Sequence, residues 1–102
     1  MERGIIYTRG REDSTMQPWK QLILLLKYAK EIDFLDMGII SVTEDDNQHN
    51  RFSIEQLHAM LKKHACHSVL VMDLNCLSDN PAELALINER FVSEGITVFS
   101  LF

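Results

Sequence analysis

Residues 69–80 read Val69-Leu70-Val71-Met72-Asp73-Leu74-Asn75-Cys76-Leu77-Ser78-Asp79-Asn80. The opening apolar run does not alternate, which fits a strand covered on both faces. Turn-forming residues follow, and Asn80-Pro81 with Glu83 makes a helix start, because Asn caps well and Pro suits the first turn. Gly95 supplies the left-handed stop, and Ile96 to Phe102 reads as a further strand. Strand, loop, capped helix and strand form one unit of a parallel sheet.

The same cadence extends upstream. Arg3 to Arg9 is a short β-branched and aromatic strand, followed by a polar loop from Gly10 to Thr15. Gln17 to Ile32 reads as a helix, with candidate caps between Ser14 and Met16 and with Pro18 in its first turn. Met37 to Thr43 is the second strand, running into the acidic loop Glu44 to Arg51. Ser53 with Gln56 forms a capping box for the next helix, whose apolar stripe is Ile54, Leu57, Met60 and Leu61. Ser68 to Asp73 is the third strand. The expectation is an α/β fold: a single domain over residues 1–102, three-layered, with a four-stranded mainly parallel sheet and flanking helices. Sites in such sheets form at the carboxyl ends of strands, here Arg9 to Ser14, Thr43 to Arg51 and Asp73 to Asn80.

Bulk properties narrow the function. A chain of 102 residues with 46% apolar and 25% charged residues suits one folded core. Fifteen acids against ten bases give a net charge of -5, which disfavours unaided binding to DNA phosphates. The longest purely apolar run, Leu22 to Leu26, is far short of a bilayer span. Strand-like residues begin by Ile5, so no leader peptide is expected. Cys66 and Cys76 have neither a CxxC spacing nor a disulfide framework, and a reducing cytoplasm is the expected setting.

The chain resembles the catalytic domain of resolvase/invertase-type serine recombinases. In that family the loop after the third strand usually reads Leu-Asp-Arg-Leu-Ser-Arg, and the matching stretch is Leu74-Asn75-Cys76-Leu77-Ser78-Asp79. The family begins with a strand similar to Tyr-Ala-Arg-Val-Ser, with which Tyr7-Thr8-Arg9-Gly10-Arg11 lies in register. Gln21 and the run Tyr28-Ala29-Lys30-Glu31 match the family's first helix, and Arg51 sits where a further family arginine precedes the second. The resemblance implies phosphate-binding roles for Arg9 and Arg51. It also implies an attacking serine, but that position is Arg11, and a guanidinium stays protonated. The loop acid is replaced by Asn75, and the two loop arginines by Cys76 and Asp79. Asp79 would repel a phosphate where the family clamps one. Ser14 and Ser78 are nearby hydroxyls, Ser14 the better placed as a substitute nucleophile, yet it is also a natural cap. Family members continue into a long dimerising helix and a DNA-reading domain, whereas this sequence stops at Phe102, so no carrier of sequence-specific DNA recognition is expected.

Other clusters carry less. His58, His64, Cys66 and His67 gather near a helix end and an outgoing strand, from which four metal ligands do not readily converge. Glu44, Asp45, Asp46, Asp73 and Asp79 gather on the carboxyl rim, but only Asp73 is held by a rigid element, and hard-cation sites need several fixed oxygens. No metal or cofactor is expected. The methionines Met16, Met37, Met60 and Met72 read as core filler.

The helix Gln17 to Ile32 has no clean polar face. One apolar stripe must cover the sheet; the other, drawn from Trp19, Leu22, Ile23, Leu25 and Leu26, is expected to be an association surface. The leading functional expectation is therefore a catalytically degenerate, recombinase-like interaction or regulatory module, oligomeric or bound to another protein. DNA enters as a partner only through the resemblance. The alternatives are a phosphoryl-transfer enzyme using Arg9 and Arg51 with Ser14 or a divalent metal, and a module binding a small anion at Arg9 and the helix start near Gln17.

Overall fold

The computed structural model describes residues 2–11, 17–44, 50–78 and 80–102, with side chains at 11, 43, 44 and 50–53 outside the description. The elements are β1 (Glu2–Arg11), α1 (Pro18–Glu31), β2 (Phe34–Glu44), α2 (Asn50–Lys63), β3 (Ser68–Val71), a 3-10 turn (Leu74–Cys76), α3 (Pro81–Ser93) and β4 (Thr97–Ser100). The four strands form one sheet in the order β2-β1-β3-β4, and every pairing is parallel. No helix among the described residues is long and apolar enough to cross a membrane.

The apolar runs decide which strands are central. Ile5, Ile6 and Tyr7 of β1 and Val69, Leu70 and Val71 of β3 are completely buried, as expected for strands covered on both faces. β1 pairs with β3 over Gly4 to Ile6, and with β2 along its whole length. Gly4 is required there: a Cβ would run into the Ser68 carbonyl oxygen and the Phe34 ring. The β1–β2 register slips between Gly4 and Ile5, skipping Met37 on β2.

Crossovers of parallel sheets are right-handed. The chain moves one way from β1 to β2 and the other way from β2 to β3 and from β3 to β4, so α1 covers one face while α2 and α3 share the other. α1 buries Gln21, Leu25 and Ala29, spaced four apart, against the sheet. The pair α2–α3 is joined directly. The His58 ring lies 4.9 Å from the Phe91 ring, and its Nδ1 lies 3.0 Å from Glu94 Oε2. Arg90 reaches Glu55 at 2.6 Å and Glu94 at 3.2 Å.

Several boundaries differ from the sequence reading. β2 starts at Phe34 rather than Met37, because Asp33 adopts a left-handed conformation (φ 57°) and turns the chain back directly after α1. The capping box at Ser53 is not a helix start: α2 begins at Asn50 and Ser53 lies within it. A Ser-x-x-Gln spacing does not prevent the residues before it from being helical, so the pattern marks a start only when the upstream chain leaves the helix. β3 ends at Val71, where the backbone bends towards the 3-10 turn. The ends of α2 and α3 are alike. Cys66 N–H donates to the Leu61 carbonyl and Ile96 N–H to the Phe91 carbonyl, both at 2.8 Å, closing Schellman-type caps. Gly95 (φ 72°) takes the left-handed position in one and Ala65 (φ 51°) in the other.

An alanine in that conformation is strained by about 1 kcal/mol, which glycine avoids. Ala65→Gly is therefore expected to raise the urea midpoint at unchanged m-value, and a lower midpoint would count against the strain. Burial, and then the Arg90 charge, push the His58 pKa below its usual 6.5, outweighing the pull of Glu94 and Glu55. The unfolded chain thus binds the proton more readily, so stability is full above about pH 6.5 and declines as pH falls through the folded pKa. Denaturation midpoints at pH 7.5 and 5 should show that loss in the natural chain and a shallower one in His58→Leu.

Candidate functional site

The strand order sets the position of the site. The chain leaves β1 towards one edge and one face, and leaves β3 towards the other edge and the other face. The carboxyl ends of β1 and β3 therefore flank the topological switch point, where the diverging loops leave a crevice. Arg9 stands at the end of β1, and Asp73 to Ser78 follow β3.

At the crevice the Gln21 side chain fastens α1 to β1. Gln21, buried on α1, accepts from the Arg9 backbone N–H at 3.2 Å through Oε1 and donates from Nε2 to the Arg9 carbonyl at 2.7 Å. A carboxamide has both a donor and an acceptor, so it can extend β1 like a short piece of a neighbouring strand. The Cys76 thiol, also buried, donates to the same Gln21 Oε1 at 3.9 Å. Gln21 thus ties together the first helix, the first strand and the loop after the third.

The loop itself is held by local bonds. Asp73 accepts the Asn75 backbone N–H at 2.8 Å, which starts the 3-10 turn and places Cys76 inward. Ser78 is buried, and its Oγ accepts the Asn80 N–H at 3.1 Å and donates to the Asn80 carbonyl at 3.4 Å. Asn80 caps α3, its Oδ1 accepting from Ala82 N–H (2.9 Å) and Glu83 N–H (3.3 Å). Burial, aided by the Asp73 carboxylate, pushes the Cys76 thiol above its usual value despite backbone hydrogen bonds that favour the thiolate. The thiol is therefore protonated at neutral pH and is a poor nucleophile.

The sequence-expected residues separate as follows. Arg9, Asp73, Asn75 and Cys76 come together at the switch point, with Arg9 half-buried and Asn75 exposed. Ser14, Asp45, Asp46 and Asp79 lie outside the described residues, as do the side chains of Arg11, Glu44 and Arg51, whose backbones end β1, end β2 and open α2. No group of three or more His, Cys, Asp or Glu side chains able to hold a metal occurs among the described residues. Of the histidine cluster, His58 engages Glu94 while the Cys66 thiol reaches the His64 carbonyl. A groove of about 680 Å³ beside His58, His67 and Arg90 lies at the amino ends of β3 and β4, the wrong end of the sheet for the switch-point site. Gln21 is the residue whose role the sequence did not disclose. The available signal was its place in the stripe Gln21, Leu25, Ala29, where a polar residue must be buried with partners.

Gln21→Ala removes the two hydrogen bonds that the buried carboxamide makes to the Arg9 backbone. It should destabilise the fold by about 1–3 kcal/mol and raise Cys76 reactivity towards a thiol reagent. Unchanged labelling kinetics would show that Gln21 does not hold the loop.

No protein-family model matches the sequence, and no curated protein matches it. Solved structures do match. The chain superposes on the C-terminal catalytic domain of ISC1926 TnpA, an IS607-like serine recombinase, with a TM-score of 0.79 and 20% identity, over 98% of this chain and 70% of that one. It superposes on the N-terminal catalytic domain of TP901-1 integrase with a TM-score of 0.75 and 20% identity, over 95% of this chain and 76% of that one. The strand order, the all-parallel pairing and these superpositions lead to one conclusion: the chain has the catalytic-domain fold of the serine recombinases.

Proposed function

We propose that the chain is a recombinase-fold domain without recombinase chemistry, acting as a protein-interaction module. The observation that carries this reading is the state of the switch-point loop. Its thiol and hydroxyl, Cys76 and Ser78, are buried and committed to Gln21 and to the Asn80 backbone. Phosphoryl transfer needs an activated nucleophile and positive groups arranged where charge develops. The described loop offers a protonated thiol, an engaged hydroxyl and the Asp73 carboxylate. The resemblance adds that Arg11 occupies the position of the attacking serine. A net charge of -5 further disfavours DNA as a partner.

Support for binding proteins comes from α1. Trp19, Ile23 and Leu26 are exposed on the side of the helix away from the sheet, and Leu22 is half-buried. The expected association surface needs one correction: Leu25 is completely buried, because it shares the sheet-facing stripe with Gln21 and Ala29.

The chemistry is tested by incubating the chain with supercoiled DNA and resolving covalent protein–DNA adducts under denaturing conditions. No adduct is expected. A phosphoseryl adduct that disappears in Ser14→Ala would overturn the reading in favour of an active enzyme.

A further inference from the structure

α1 and α3 lie on opposite faces of the sheet, and each presents an uncovered stripe. On α1, Trp19 and Ile23 are each 60% exposed and Leu26 continues the line. Lys20, Lys27 and Lys30 are exposed beside them, against a single acid, Glu31, in the whole helix. On α3, Leu86 is 67% and Val92 77% exposed, with the exposed Glu89 between them. The one basic residue of α3, Arg90, is already paired with Glu55 and Glu94. The two stripes thus carry opposite charge. The helices also match in length, at 14 and 13 residues.

We propose that a second copy of this chain is the partner, its α3 stripe docking on the α1 stripe of the first. This rests on the interaction-module reading and names the surfaces that it uses. A twofold dimer through α1 would bring lysine rows together, and one through α3 would oppose Glu89 to Glu89; both are penalised by like charge. The α1–α3 pairing sets Leu86 and Val92 against Trp19, Ile23 and Leu26, and Glu89 against the lysines. Because the stripes are on opposite faces, the contact is heterologous: each pair retains one unused α3 stripe and one unused α1 stripe, and copies stack front to back. One helix-on-helix contact falls below the roughly 1,000 Å² of a stable interface, so the association is reversible and weak.

Sedimentation velocity of the full chain over a concentration series tests this, together with the emission of Trp19, the only tryptophan. The expected result is association that continues past the dimer, with a blue shift of Trp19 emission as it becomes covered. Lys27→Glu and Glu89→Lys should each weaken association by about three- to tenfold, and should restore it when combined in one chain or when the two single variants are mixed. A monomer at all concentrations, a closed dimer, or association indifferent to Glu89→Lys would overturn the proposal. A monomer that also forms no DNA adduct would remove the second copy as partner and leave the absence of recombinase chemistry standing.

Discussion

Everything in this fold hangs on the pairing of β1 with β3. The two strands meet over a few residues, Gly4 to Ile6 with Ser68 to Leu70, and that seam is buried from both sides. Close approach requires the missing side chain at Gly4, and the burial requires helices on both faces. Those helices follow from chain direction alone, since right-handed crossovers leaving the seam in opposite senses land on opposite faces. The seam therefore fixes the core and the position of the crevice at its carboxyl end.

The crevice shows how the polar groups beside the seam are used within the fold. Gln21 spends both ends of its carboxamide on the Arg9 backbone, and its oxygen also takes the Cys76 thiol. Asp73, Ser78 and Asn80 are used in turn and cap geometry. These bonds are local, directional and water-excluding, the qualities that rigidify a loop. They also engage the Cys76 thiol and the Ser78 hydroxyl inside the protein.

Much of this was legible in the sequence, for identifiable reasons. The unbroken apolar run that opens at Val69 fits a strand buried on both faces, as β3 is up to Val71, and Asn80-Pro81 and Gly95 bracket α3 because their backbone preferences are strong. Ala65 was not legible as a turn residue, since alanine has no preference for the left-handed conformation that the cap after α2 requires; Asp33 tolerates that conformation, but a lone Asp is equally at home elsewhere. Ser53 misled because a short side-chain pattern carries no information about the residues before it. At the site, cadence alone located Arg9 and Cys76 at one rim. Their linkage through Gln21 depended on which face of α1 meets β1, and assigning Leu25 to the outer face was the same error of helix rotation.

The skipped residue Met37 has a consequence for the sheet's boundary. β2 is an eleven-residue strand whose outer edge has no neighbour among the described residues, and it contains neither lysine nor proline to discourage pairing. A long flat edge of that kind is a template for aggregation. The bulge at Met37, beside the exposed Asp36, interrupts the ladder near one end and increases the local twist. An incoming strand would find its hydrogen-bonding register broken after a few residues, so the irregularity opposite Gly4 also guards the sheet's exterior.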